Sequence, residues 1–135
     1  MPEWLLAALA IALGLAIWLV VGFLFLNRSL KCTAAKRPNL CRDDFLASMS
    51  GAGVRDEAAV FLWDTVLSYV SPQLTPHPDD VLGSDLPIDD GDWSMDWPRD
   101  FARKHGLRPD DLPAWPEGQA SSLLDYGRWL SAALD

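Results

Sequence analysis

Residues 4–26 read WLLAALAIALGLAIWLVVGFLFL, a run of 23 positions with no charge and no proline. A helix rises about 1.5 Å per residue, so this stretch covers roughly 34 Å, enough to cross the ~30 Å hydrocarbon core of a bilayer with some tilt. Fourteen of its residues are Leu, Ile, Val or Phe. At roughly 0.3–0.6 kcal/mol each, they favour insertion by about 4–8 kcal/mol with no charged residue opposing them.

The flanks of this run are unequal. Only Glu3 is charged before it, whereas residues 27–42 carry Arg28, Lys31, Lys36, Arg37 and Arg42 and no acid. The positive-inside bias therefore predicts a single-pass inner (plasma) membrane protein, with its N-terminus outside and its C-terminal domain in the cytoplasm. A cleaved signal would need a basic segment before a shorter apolar stretch, and MPEW supplies neither, so an uncleaved anchor is expected. Arg28, Lys31, Lys36 and Arg37 are placed to meet anionic lipid headgroups at about 1 kcal/mol each. Setting the topology would by itself account for them. Ala8, Ala12 and Ala16, with Ala10 and Gly14, make one helix face smooth, which admits self-association through the transmembrane helix.

The chain then divides into an anchor (1–26), a basic juxtamembrane tether and linker (27–54) and an acidic domain (55–135). Residues 43–135 hold 18 acidic and 6 basic side chains. So negative a domain repels nucleic-acid phosphate, which excludes nucleic acid as an expected partner. In the cytoplasm Cys32 and Cys41 are expected as reduced thiols. Their eight-residue separation fits no zinc pairing, and His77 and His105 have no partner at ligand spacing, so no metal is expected. No phosphate loop, nucleophile elbow or Cys-His arrangement is present. The expectation is a non-enzyme with no cofactor.

Within the soluble part, Asp43 to Met49 reads as a short helix, and Ser50-Gly51-Ala52-Gly53 as a flexible joint. Ala59, Val60, Trp63, Val66, Leu67 and Val70 recur at helical spacing, predicting a helix from Asp56 to Val70 that Ser71-Pro72 stops. Pro98 limits where the next helix begins. With Asp96 as N-cap it falls in the first turn, and Gly106 provides a left-handed stop. Leu112 and Trp115 are expected to pack along an irregular proline-rich stretch. Ser122 and Asp125 resemble a capping box for a final helix whose inward stripe is Leu123, Tyr126, Leu130 and Leu134. No segment alternates with period two, so the domain reads as all-α.

The sequence Asp85-Leu86-Pro87-Ile88-Asp89, followed by Asp90-Gly91-Asp92 and later Phe101-Ala102-Arg103-Lys104-His105-Gly106, resembles acyl carrier proteins. It is most similar to an uncharacterised bacterial family with that fold, in which an acid-glycine-acid sequence stands where carriers have Asp-Ser-Leu. The resemblance covers about residues 55–134 and implies a small acyl-carrier-like helical domain behind the added anchor. It also implies that the phosphopantetheine serine is missing, since its place falls on Asp90 or Gly91; Ser84 and Ser94 only flank it. Pro87 and Pro98 depart from the family's pattern.

What the resemblance leaves is an acidic surface of the kind that basic patches on partners read. Asp89, Asp90, Asp92 and Trp93 are the expected partner-binding residues. The acid cluster does not form an EF-hand, because with Gly91 at the sixth position Leu86 and Trp97 would be the terminal ligands. The leading expectation is a non-catalytic adaptor tethered to the membrane that binds a basic cytoplasmic protein. The alternatives are a divergent acyl or peptidyl carrier using Ser94 or Ser84, and a small inner-membrane immunity or inhibitor protein.

Overall fold

A computed structural model of the chain describes residues 2–112 and 121–134. Among these residues it is helical throughout, with helices α1 (Glu3–Lys36), α2 (Arg42–Gly51), α3 (Asp56–Val70), α4 (Trp97–Lys104) and α5 (Leu123–Ala132). A π-helical turn, Asp92–Asp96, leads into α4, and a 3-10 turn, Pro109–Asp111, follows it. The all-α expectation holds at this level. Trp115 lies outside the described residues.

The first helix is longer than the apolar run. It continues unbroken through Lys36, for 34 residues, or about 51 Å. Residues 4–25 lie almost wholly in the open, and Leu30 and Thr33 are its buried residues. The last turns of α1 therefore pack onto the domain. Residues 27–54 do not form a separate tether, because α2 also joins the core, with Phe45 and Met49 fully buried. The expected joint is a fixed turn: Gly53 takes φ +89° while Gly53 N–H donates to Ser50 O and Val54 N–H to Met49 O. That pattern satisfies the last carbonyls of α2 and needs a residue that tolerates the left-handed region.

Helix α3 has the bounds its periodicity predicts, but it buries more than one stripe. Ala58, Phe61 and Leu62 are buried along with Ala59, Trp63, Val66 and Val70. The reason is that α3 is packed on several sides: Trp63 meets Phe45 of α2 at a ring distance of 5.3 Å, and Phe61 meets Phe101 of α4 at 5.2 Å. Helix α5 closes the core with Leu123, Tyr126 and Leu130, and Leu134 packs at its edge. Ser122 accepts a hydrogen bond from Asp125 N–H at 3.1 Å, the capping contact the sequence suggests. Gly127 sits where α5 comes closest to its neighbours. A Cβ there would meet Val54 Cγ1 at 2.9 Å and Met49 Cε at 3.0 Å.

The start of the fourth helix differs from expectation. Asp96 is itself helical and makes no capping contact, because the chain is already helical from Asp90. Pro98 is accommodated by the π-helical turn, in which Trp97 N–H donates to Asp92 O, five residues back. A regular helix would have sent Trp97 N–H to Trp93 O, and proline has no N–H to offer. Trp93 O instead accepts the buried hydroxyl of Tyr126 at 2.5 Å. At the other end Gly106, with φ +69°, stops the helix, and Leu107 N–H donates to Ala102 O.

The proline-rich connection from Ser71 to Asp89 is tied down at both neighbours. Ser71-Pro72 is a cis peptide. Leu123 N–H and Leu124 N–H, two donors that the first turn of α5 leaves open, bond to Asp80 O and Pro78 O. On the other side the connection meets the end of α1. Thr33 Oγ1 donates to Asp85 O at 2.5 Å, and Lys36 Nζ lies 3.5 Å from Asp85 Oδ1.

Candidate functional site

The acid-glycine-acid sequence opens the helical segment that becomes α4. Ile88 is buried and anchors the approach, after which Asp92 N–H closes a turn on Asp89 O at 3.0 Å. Gly91 is helical (φ −59°, ψ −35°), and an added Cβ would meet only Asp89 Oδ2, at 3.8 Å. Glycine is therefore not required here by backbone conformation or by space. The turn from Val81 to Leu86 lies alongside, with Gly83 at φ +90° and Asp90 Oδ1 4.0 Å from where its Cβ would stand. Asp85 stiffens that turn by accepting Val81 N–H on Oδ2 at 2.9 Å.

Asp89 and Asp90 are exposed, and Asp92 is half-buried. Among the described residues no basic side chain pairs with any of the three. Tyr69, at the last turn of α3, donates its hydroxyl to Asp92 Oδ2 at 3.1 Å. Partial burial raises the Tyr69 phenol above its ordinary pKa; the Trp97 indole opposes this, and the Asp92 charge adds to it. The phenol therefore stays protonated as a donor at neutral pH. Met95 is exposed one turn on, so the acidic face carries an apolar neighbour.

Trp93 does not belong to this surface. It is 9% exposed and lies in the core, and its carbonyl accepts the Tyr126 hydroxyl. Burial also pushes the Tyr126 phenol far up, which keeps it a donor. Ser84 and Ser94, the two serines flanking the motif, are exposed. No group of three or more His, Cys, Asp or Glu among the described residues is arranged to hold a metal ion. Cys32 and Cys41 are free and exposed.

The basic collar is divided. Arg28, Lys31 and Lys36 are exposed, whereas Arg37 turns into the domain and is 11% exposed. Its guanidinium donates from Nε to Asp80 Oδ1 at 2.9 Å and from Nη2 to Asp80 Oδ2 at 2.6 Å, with a further bond from Nη2 to Thr75 O. Asp80 is 2% exposed and also accepts His77 N–H. Burial raises the Asp80 carboxyl above the ordinary range, with Arg37 and the His77 N–H holding the rise in check. Arg37 is thus a structural ion-pair partner rather than a headgroup contact.

The chain matches no known protein family, no curated protein and no solved structure. The Arg37–Asp80 pair is a feature that local sequence reading missed. Its trace was the helical spacing of Leu30, Thr33 and Arg37 beyond the apolar run, which marks a face in need of a neighbour.

Proposed function

We propose that the protein is a non-catalytic membrane-anchored adaptor that presents an acidic helical domain to a cytoplasmic protein with a basic surface. The observation that carries this reading is the set Asp89, Asp90 and Asp92. These carboxylates stand at the start of a helix without cationic partners, next to a turn that Thr33 and Lys36 of α1 hold through Asp85. Solvent carboxylates in a fixed array attract and orient a basic partner over long range.

The anchor reading is supported by the apolar window of α1, none of which is buried against the protein. A soluble core helix would hide that surface. The charges flanking the window favour a single pass through the inner (plasma) membrane with the N-terminus outside and the domain in the cytoplasm. The succession of α3, a long connection, a helix opening on Asp90-Gly91-Asp92, a 3-10 turn and α5 is compatible with an acyl-carrier-like domain. Neither Asp90 nor Gly91 can form the phosphodiester of a carrier arm, which favours binding over carriage.

Affinity capture with the full chain from solubilised membranes tests this reading. The wild-type chain is expected to recover a protein whose yield falls with added salt and falls again in an Asp89→Asn, Asp90→Asn, Asp92→Asn variant. Recovery that is indifferent to both salt and the three substitutions overturns it.

A further inference from the structure

We infer that the domain is seated on the bilayer, with the Ser71-Pro72-Gln73 turn in the phospholipid headgroup layer beside Asn27, Arg28 and Lys31. This rests on the reading of α1 as a membrane anchor. Leu26 is the last residue of the apolar run, so Asn27 marks the inner edge of the hydrocarbon. Gln73 Nε2 reaches Asn27 Oδ1 at 3.5 Å. The domain therefore extends along the last turns of α1 as far as the membrane boundary. The headgroup region on each side of a bilayer is about 5–8 Å deep, comparable to one turn of helix. The Gln73 side chain, which meets Asn27, lies within it.

The height of this segment is set by α1. Arg37 Nη2 donates to Thr75 O, Asn39 Nδ2 donates to Gln73 O at 3.4 Å, and Asn39 Oδ1 accepts Thr75 N–H at 3.3 Å. Thr75 Oγ1 in turn donates to Leu40 O at 2.6 Å. Residues 37–40, which continue directly from α1, thus hold both ends of the stretch from Gln73 to Thr75, and Leu74 between them is buried. The domain covers the α1 face that carries Leu30 and Thr33, while Arg28 and Lys31 stand exposed elsewhere on the same turns. Their cations and the polar Ser71 and Gln73 suit a layer of phosphates and water.

Nitroxide depth measurements on the full chain decide the matter. In a Cys32→Ser, Cys41→Ser background, single labels are placed through Leu19→Cys, Asn27→Cys and Gln73→Cys. The chain is reconstituted in vesicles of phosphatidylcholine and phosphatidylglycerol at about 2:1. Power saturation compares access to oxygen, which concentrates in hydrocarbon, with access to a water-soluble nickel chelate. The expected result is a lipid-buried label at position 19, with the labels at 27 and 73 at depths within about 5 Å of each other, one helical turn. A label at 73 as accessible to the chelate as a nitroxide free in water, while the label at 19 stays buried, overturns the seating of the domain. A label at 19 open to the chelate overturns the anchor itself.

Discussion

Arg37, the residue that follows α1, grips the Asp80 carboxylate with two hydrogen bonds of 2.9 and 2.6 Å in a setting that leaves Asp80 2% exposed. The contact joins the continuation of α1 to a loop more than 40 positions away, which itself supplies carbonyls to the start of α5. One ion pair therefore couples three parts of the fold.

Removing one partner of such a pair strands a buried charge. Arg37→Ala is expected to destabilise the domain by about 3–5 kcal/mol, and Arg37→Ala with Asp80→Asn by less. Chemical unfolding of the three chains in detergent micelles, followed by tryptophan fluorescence, measures this. Equal losses in the single and double variants would show that the charge is not what is stranded.

The pH dependence of the pair has a definite sign. Because burial holds the folded Asp80 above its unfolded value, the folded chain keeps a proton that the unfolded chain has released in the window just above the ordinary carboxylate range. Stability from this group is complete below that window and is lost as pH rises through the folded value. Wild type should therefore gain stability relative to Asp80→Asn as the pH is lowered from neutrality. A shrinking difference on acidification would mean that Arg37 outweighs burial.

The buried Tyr126 hydroxyl donates to Trp93 O, within the π-helical turn that leads into α4. Tyr126→Phe should cost about 1–3 kcal/mol, because the buried carbonyl of Trp93 loses the hydroxyl donor. Thermal unfolding measures this, and an unchanged midpoint would contradict the role.

Gly127→Ala should also lower stability, despite the gain of about 1 kcal/mol in helix propensity. The added methyl would stand 2.9 Å from the stiff Val54 side chain, and overpacking of this kind costs about 1–3 kcal/mol. Val54→Ala in the same chain should recover part of the loss. A Gly127→Ala chain more stable than wild type would show that Val54 gives way freely.

A carrier would gain the mass of a phosphopantetheine group on treatment with coenzyme A and a broad-specificity phosphopantetheinyl transferase. The adaptor reading predicts no gain by intact-mass spectrometry. A gain that disappears in Ser94→Ala or Ser84→Ala would replace that reading with the carrier one.

The parts of this fold that were legible in the sequence are those fixed by local chemistry. The span of α3, the Gly106 stop and the Ser122 cap follow from spacing, left-handed glycine and a side-chain acceptor within a few positions of each other. Asp96 fits an N-cap only in a regular helix, whereas the π-helical turn relieves the proline in another way. Trp93 follows three surface carboxylates in the sequence but is buried, with a contact to Tyr126 33 positions away that its neighbours do not record. The Arg37–Asp80 pair and the docking of residues 27–36 depend on contacts across more than 40 positions; the spacing of Leu30, Thr33 and Arg37 marks the face but not the partner. Of the candidate site, the exposure of Asp89 and Asp90 was legible, and the hydrogen bond from Tyr69 to Asp92 was not.

An adaptor of this kind requires α1 and the domain to form one unit, since a domain on a loose tether would present its carboxylates in no fixed pose. Pulsed electron resonance between nitroxides at Ala35→Cys and Glu57→Cys, in full chain lacking Cys32 and Cys41 and held in vesicles, measures this directly. One narrow distance distribution is expected, broadening on Arg37→Ala. A broad distribution in the chain with Arg37 intact would contradict it.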